Sequence, residues 1–195
     1  MSRPAPDFLC FAYGSNMSSR RLTTPGRAPS ATRVAVGYVP GRRLTFDKVS
    51  TRARSGKCDC DATGELTDRV CGIVYRIAIS ERAALDAAEG LHHGYRDEIL
   101  TVIAEDATHR ALAYVATDKR PVLPVFDWYV EHVFAGAAEN GLPSGYVQAI
   151  RQVPTVVDES ERRAAKERAL YGRPNSALSK RAQTSAELTG HAAWQ

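Results

Sequence analysis

The carboxylate best suited to acid–base chemistry in this sequence is Glu89, the last residue of a helix predicted over 81–89. Gly90 follows it directly, as is typical of a helix C-terminus. The negative end of the helix dipole and the unsatisfied carbonyls disfavour the ionised form of a carboxyl group placed there. Burial beside Leu85 and repulsion from Asp86 would act in the same direction. Glu89 is therefore a candidate proton shuttle, although a surface glutamate before a glycine cap would show the same pattern.

The second candidate is the loop that ends the sequence FLCFAYGSNM at residues 8–17. Large, β-favouring residues predict a buried strand, and Gly14, Ser15 and Asn16 then supply residue types that tolerate turns. Such a loop presents several backbone N–H groups in one direction, and a concave set of N–H groups binds an anion or an oxyanion. An ordinary strand-to-helix turn capped by serine or asparagine is the alternative.

Composition limits the classes of protein to consider. The chain has 195 residues, 44% of them hydrophobic, which predicts one domain at 8–172, a disordered N-terminus at 1–7 and a disordered or loosely docked tail at 173–195. The net charge is +4, but basic and acidic residues are interspersed, so no nucleic-acid partner is expected. No apolar run reaches the ~18 residues of a membrane span. We therefore expect a cytoplasmic protein without a membrane segment.

A metal or cofactor site is not indicated by the residue spacing. Cys58 and Cys60 are separated by one residue, which does not fit the usual zinc knuckle. His92 and His93 are adjacent, so in a strand they would point to opposite faces. We expect no metal and no cofactor.

The elements that must position these residues are mainly strands joined by hairpins, with helices late in the chain. Apolar alternation predicts strands at 42–47, 62–66, 70–79 and 95–105, whereas residues 49–59 are polar and basic and are predicted to form a flexible surface loop. Hairpins outnumber strand–helix–strand crossovers. This order favours an α+β fold with a curved, mainly antiparallel sheet or small barrel.

Taken in order, several motifs resemble those of the γ-glutamylcyclotransferase family. FLCFAYGSNM is similar to its F-x-Y-G-S-N-[LM] signature, and VCGIVY at 70–75 is similar to its G-x-[VL]-[YW] strand. Residues 85–90, LDAAEG, resemble its L-D-x-x-E-G segment, and Tyr95 follows at its aromatic position. ENGLP at 139–143 resembles the late helix–turn–helix of animal-type members. The resemblance covers residues 8–155.

The resemblance implies a small, mostly antiparallel β-barrel flanked by helices. It also implies an intramolecular reaction, in which the α-amine of a γ-glutamyl group attacks its own γ-carbonyl and releases 5-oxoproline and an amine or amino acid. Glu89 would be the acid/base. The glutamyl group would be bound by a loop, through its backbone N–H groups, and by two aromatic side chains: Tyr13, Gly14, Ser15, Asn16, Met17, Tyr95 and Tyr129. Both aromatic residues are equally plausible as core tyrosines.

The leaving group stays open, because the segment CDCDATG at 58–64 and Cys71 depart from the family pattern. It could be an amino acid, an amine or a metabolite protected by a γ-glutamyl group. A catalytically silent module that binds a γ-glutamyl ligand or a protein partner is the alternative to an enzyme. The sequence does not fix the oligomeric state, and a homodimer remains open.

Overall fold

The computed structural model describes residues 6–51 and 53–172. Its strands are β1 (Asp7–Ala12), β2 (Thr32–Pro40), β3 (Arg42–Val49), β4 (Gly56–Ala62), β5 (Arg69–Ala78), β6 (Tyr95–Ala104) and β7 (Thr108–Ala116). Its α-helices are α1 (Ser19–Leu22), α2 (Arg82–Glu89), α3 (Asp127–Glu139), α4 (Ser144–Arg151) and α5 (Glu161–Arg168). Short 3-10 helices cover Ser15–Met17, Ile79–Glu81 and Ala169–Tyr171.

Five strands close into a barrel in the order β1-β5-β2-β6-β7. Neighbouring strands are antiparallel except β1 and β7, whose parallel contact at Cys10 and Leu112 closes the barrel. The apolar strand β5 pairs along its length with both β1 and β2, and Ile73 and Val74 are fully buried, as the sequence of that strand predicts. The predicted α+β class, a mostly antiparallel barrel flanked by helices, is confirmed.

The strands β3 and β4 form a separate two-stranded antiparallel sheet. The prediction of a loop over 49–59 is therefore wrong at 56–59, which belongs to β4, and at Val49, which ends β3. At Gly56 only glycine fits, because a Cβ would lie 2.1 Å from the Phe46 carbonyl oxygen. The charged Asp59 is tolerated in this strand because its carboxylate accepts hydrogen bonds from Ala116 N (2.8 Å) and Lys119 Nζ (3.2 Å). Contacts distant in sequence thus outweigh the local polarity.

The loop after β1 is held in place by the helix α3. The helix and the loop approach each other so closely that a Cβ on Gly136 of α3 would lie 2.3 Å from Ser18 N. The Met17 carbonyl accepts hydrogen bonds from Asn140 Nδ2 (3.0 Å) at the end of α3 and from Tyr75 Oη (2.8 Å) on β5. The loop is therefore fixed between the barrel and a helix.

β1 starts at Asp7, inside the segment predicted to be disordered, and the Pro6 carbonyl accepts a hydrogen bond from Ile79 N (2.9 Å). Residues 1–5 and the predicted tail 173–195 lie outside the described residues. Within the described part of the chain, no helix has the length and apolar character needed to cross a membrane.

Candidate active site

Glu89 is the last residue of α2, and Gly90, with φ of 75°, ends the helix in the left-handed conformation. The Glu89 Oε1 accepts hydrogen bonds from Asn16 Nδ2 (2.9 Å) and from Arg27 Nη1 (2.7 Å). Its side chain is only 19% exposed. The predicted acid and the predicted loop are therefore in direct contact, although 73 residues separate them in sequence.

Arg27 is a site residue that the sequence reasoning missed. It follows Gly26, whose φ of 81° turns the chain, and its Nη1 also donates to Asn16 Oδ1 (3.0 Å). Its guanidinium places a positive charge 2.7 Å from the Glu89 carboxylate, and the position of Glu89 at a helix end gave no indication of this contact. Pro25 and Gly26 are residue types typical of a turn, but nothing in the neighbouring sequence indicates where the next side chain points.

Two adjoining cavities, an inner one of about 40 Å³ and an outer one of about 610 Å³, share Ser15, Glu89, Tyr95 and Tyr129 in their walls. Six of the predicted substrate-binding residues line the inner cavity together with Glu89: Tyr13, Gly14, Ser15, Asn16, Tyr95 and Tyr129. Met17 lines neither cavity, because its side chain is fully buried and its amide donates to Gly14 O (2.9 Å). The structure thus brings all the predicted residues except Met17 to one cavity.

Gly14 is required for space, not for an unusual backbone conformation. Its φ is −114°, which lies outside the left-handed region that favours glycine. A Cβ at this position would lie 3.0 Å from Cys58 Cβ and 3.6 Å from Tyr129 Oη. The 3-10 helix that follows leaves the amides of Ser15 and Asn16 ahead of its first internal hydrogen bond, so these N–H groups can serve a ligand.

The three tyrosines of the inner cavity are bonded to the backbone. The Tyr13 hydroxyl donates to the Tyr114 carbonyl, and the Tyr95 hydroxyl donates to the Cys58 carbonyl (2.7 Å). The Tyr129 hydroxyl accepts from Cys58 N (2.9 Å). Burial raises the pKa of all three phenols well above the usual value, so each is neutral. Their rings form the cavity wall, and their hydroxyls attach β4 and β7 to that wall.

Lys48 in β3 and Lys57 in β4 are two further site residues that the sequence did not indicate. The Lys57 Nζ lies 4.1 Å from the ring centre of Trp128 and 3.9 Å from that of Tyr129, and the Lys48 Nζ lies 4.4 Å from the ring centre of Tyr95. Burial, with the neighbouring Arg21 charge, lowers the pKa of Lys57 to about 7. Burial also lowers the pKa of Lys48, against the opposing effect of Glu89. Both lysines line the outer cavity.

Among the described residues, no group of three or more histidine, cysteine, aspartate or glutamate side chains converges in a way that could hold a metal ion. Cys58 and Cys60 are buried free thiols, and burial raises the pKa of each to about 12. Neither thiol is therefore a ready metal ligand or nucleophile. A reaction without metal or cofactor remains a prediction.

Comparisons with known proteins agree with the resemblance seen in the motifs. Residues 69–150 match the model of the AIG2-like family. The chain is similar to the γ-glutamylcyclotransferase of Mus musculus, with 29% identity over 154 residues, 75% of this chain and 78% of the mouse protein. It is 30% identical to that of Bos taurus over 159 residues, 78% of this chain and 81% of the bovine protein.

Solved structures show the same similarity. A γ-glutamyl cyclotransferase structure superposes with a TM-score of 0.71 at 26% identity, covering 83% of this chain and 99% of that one. An uncharacterized protein from Homo sapiens superposes with a TM-score of 0.70 at 26% identity, covering 82% and 98% of the two chains. Sequence identity across most of the length and a shared fold lead to one conclusion: the chain belongs to the γ-glutamylcyclotransferase family.

Proposed function

We propose that this protein is an enzyme that cyclises a γ-glutamyl group, releasing 5-oxoproline and an amine or amino acid. The observation that carries the proposal is the position of the Glu89 carboxylate. It is bonded to Asn16 and Arg27 and faces a cavity whose wall includes the amide-bearing loop from Gly14 to Asn16. The relatives named γ-glutamylcyclotransferase support an enzyme of this kind.

The proposed reaction forms one C–N bond and breaks another. Glu89, as a carboxylate, takes a proton from the α-ammonium, and the freed amine attacks the γ-carbonyl carbon to close a five-membered ring. The bond from that carbon to the leaving nitrogen then breaks. Two protons in total pass from the attacking nitrogen to the leaving nitrogen, which departs as an ammonium, and Glu89 returns to its ionised form.

The neighbouring groups supply orientation and charge stabilisation. The backbone amides of Ser15 and Asn16 would bind the anionic oxygens of the glutamyl group, and the Asn16 side chain holds Glu89. The rings of Tyr95 and Tyr129 narrow the inner cavity. Ring closure within one molecule requires no protein nucleophile, because the attacking amine belongs to the same molecule as the γ-carbonyl. The rate gain comes from holding the substrate in the conformation in which the amine reaches that carbonyl.

The test is product formation from γ-glutamyl compounds. Purified protein is incubated with γ-glutamyl-alanine, γ-glutamyl-lysine and glutathione, and 5-oxoproline is quantified by mass spectrometry. Glu89→Gln should lose turnover while keeping fold and substrate binding, since the amide oxygen can still accept from Asn16 and Arg27. The matched control is Glu105→Gln at an exposed position, which should be fully active.

Two results would contradict the proposal. Full activity of Glu89→Gln would remove Glu89 from the reaction. The absence of 5-oxoproline with every γ-glutamyl compound would favour the alternative, a module that binds a γ-glutamyl ligand without turning it over.

A further inference from the structure

The outer cavity contains more cationic than anionic side chains. Its charged lining consists of Arg21, Arg27, Lys48, Lys57, Arg163, Glu89, Asp118 and Glu167. Three of the five cations are paired, since Arg21 bonds to Glu167 (2.7 Å), Arg27 to Glu89 (2.7 Å) and Arg163 Nε to Asp158 (2.6 Å). Within the described parts of the chain, Lys48 and Lys57 have no carboxylate in salt-bridge range. Among the described charged residues of this lining, the cations without a salt bridge are therefore the two lysines, and the carboxylate without one is Asp118. The charges of Glu89 and Asp118 both act on Lys48, whereas Lys57 is the more isolated cation.

Lys57 is the stronger indication of a ligand. Its Nζ is shielded from solvent and has no hydrogen-bond partner among the described residues. The faces of Trp128 and Tyr129 attract the ammonium but accept no full hydrogen bond. A buried ammonium has three donors to satisfy, so a group with acceptor oxygens is what this position lacks.

Lys48 lies on the same side of the aromatic wall as Lys57, because both residues line the outer cavity. Lys48 is only 6% exposed, and its Nζ lies over the ring of Tyr95. Tyr95 and Tyr129 separate the inner cavity from these ammonium groups, because each ring lines both cavities. A γ-glutamyl group placed in the inner cavity with its γ-carbonyl at Glu89 would direct its leaving group toward the outer cavity.

From these observations we propose that Lys57 and Lys48 bind an anionic group on the leaving amine, either a carboxylate or a phosphate. The inference rests on the proposed function and adds the class of substrate: γ-glutamyl derivatives of amines that carry a negative charge. Neutral amines would leave the buried Lys57 ammonium without an acceptor, and cationic amines would be repelled. Lys57 lies next to the segment 58–64, which departs from the family pattern.

The lowered pKa of Lys57 is compatible with this role. With a pKa of about 7, the empty site is half protonated near neutral pH, and an incoming anion favours the protonated form. Binding of the anion should therefore be stronger at pH 6 than at pH 8.5.

The experiment compares three substrates that differ in charge. They are γ-glutamyl-alanine, its neutral carboxamide, and γ-glutamyl-phosphoethanolamine, and kcat/KM is measured for each. We expect the wild type to prefer at least one anionic substrate over the carboxamide by tenfold or more, and the better of the two identifies carboxylate or phosphate as the ligand. Lys57→Met should bring that ratio close to one, and Lys48→Met should reduce it.

Lys166→Met is the matched control, because it removes one positive charge from an exposed position of α5. It should leave the ratio unchanged. A wild-type ratio near one would overturn the proposal, as would a ratio that stays unchanged in both Lys57→Met and Lys48→Met. Circular dichroism checks that each variant is folded, and Lys57→Gln replaces Lys57→Met if the latter does not fold.

Failure of the proposed function would be distinguishable from failure of this inference. If no substrate is turned over, calorimetric titration of the wild type with γ-glutamyl-alanine, γ-glutamyl-phosphoethanolamine and the carboxamide still reports on the subsite. Tighter binding of an anionic compound that is lost in Lys57→Met would support the subsite without the reaction. Equal or undetectable binding of all three would overturn it.

Discussion

The guanidinium of Arg27 and the carboxylate of Glu89 form a salt bridge of 2.7 Å at the mouth of the inner cavity. Both side chains are more than four-fifths buried, at 17% and 19% exposure, so the pair is poorly screened by solvent. The same guanidinium nitrogen bonds to Asn16. Arg27 therefore fixes the position of the proposed acid/base relative to the loop that would hold the glutamyl group.

Arg27→Met should lower kcat by roughly 10- to 100-fold with a smaller change in KM, because it frees the Glu89 carboxylate while the wall of the inner cavity stays unchanged. Arg27→Lys keeps the charge but loses the fixed planar geometry of the guanidinium that holds Asn16 and Glu89 together, so it should recover part of the activity. Steady-state kinetics with the best γ-glutamyl substrate measures both. Equal activity of the wild type and Arg27→Met would exclude the positioning role.

Gly14→Ala should destabilise the protein by about 1–3 kcal/mol and lower kcat/KM, because the new methyl group would press on Cys58 Cβ at 3.0 Å. Urea unfolding and kinetics check the two effects. Gly145→Ala is the control, since no heavy atom lies within 4 Å of a Cβ there and the residue is in α4. It should stabilise the protein by about 0.5–1 kcal/mol. A stability of Gly14→Ala equal to that of the wild type would contradict the steric argument.

The parts of the site that the sequence predicts are those with local signals. The turn-forming residues after a β-favouring run indicate the loop at Gly14, and a glycine after an alanine-rich helix indicates the position of Glu89. Each signal is complete within about one turn of helix or one strand. The family motifs then place the two together.

The missed residues depend on contacts between distant segments. β4 contains a charged residue at every second position, at Lys57, Asp59 and Asp61, and this polarity predicts a loop. It becomes a strand because β7 and Lys119 satisfy the buried Asp59 carboxylate and Gly56 permits close pairing with β3. Arg27 likewise reaches Glu89 across 62 residues. No spacing rule within one segment contains this information.

His132 should make the protein less stable in mild acid. Burial, with the nearby Arg21 charge, lowers the pKa of His132 to about 4 from an ordinary 6.5. The neutral ring is bonded to Tyr171 Oη (2.9 Å) and Glu167 Oε2 (3.0 Å). Between pH 6.5 and 4 the unfolded chain binds a proton that the folded protein does not, so the free energy of unfolding falls as pH falls through this range, by on the order of 3 kcal/mol.

Urea unfolding between pH 7 and 4 measures this loss. His132→Gln should be less stable at pH 7 but show a flatter pH dependence, whereas the exposed control His92→Asn should follow the wild type. Part of the pH dependence near pH 4 will remain, because the pKa of Glu167 is also lowered in the folded protein. Burial alone would raise the pKa of Glu167, but the hydrogen bond from His132 and the charge of Arg21 outweigh the effect of burial. An unchanged slope in His132→Gln would assign the acid sensitivity to other groups.

Lys57→Met should raise the stability of the ligand-free protein, and by an amount that depends on pH. The folded pKa of about 7 lies below the ordinary 10.5, so the unfolded chain holds the extra proton between these values. The free energy of unfolding of the wild type therefore rises from pH 7 to 10.5, and the cost of the buried ammonium is complete below pH 7. The gain from Lys57→Met should be roughly 3 kcal/mol at pH 6, after allowing for the lost contacts with Trp128 and Tyr129.

Urea unfolding at pH 6, 8 and 10 measures the gain, which should shrink at each step. Lys166→Met should differ from the wild type by less than about 0.5 kcal/mol at every pH, because its side chain is exposed. A gain independent of pH would mean that only packing has improved, and a loss at pH 6 would mean that the ammonium stabilises the fold. The expected result, a residue that costs stability in the empty protein and is required for binding of an anionic substrate, would identify Lys57 as a group placed for a ligand.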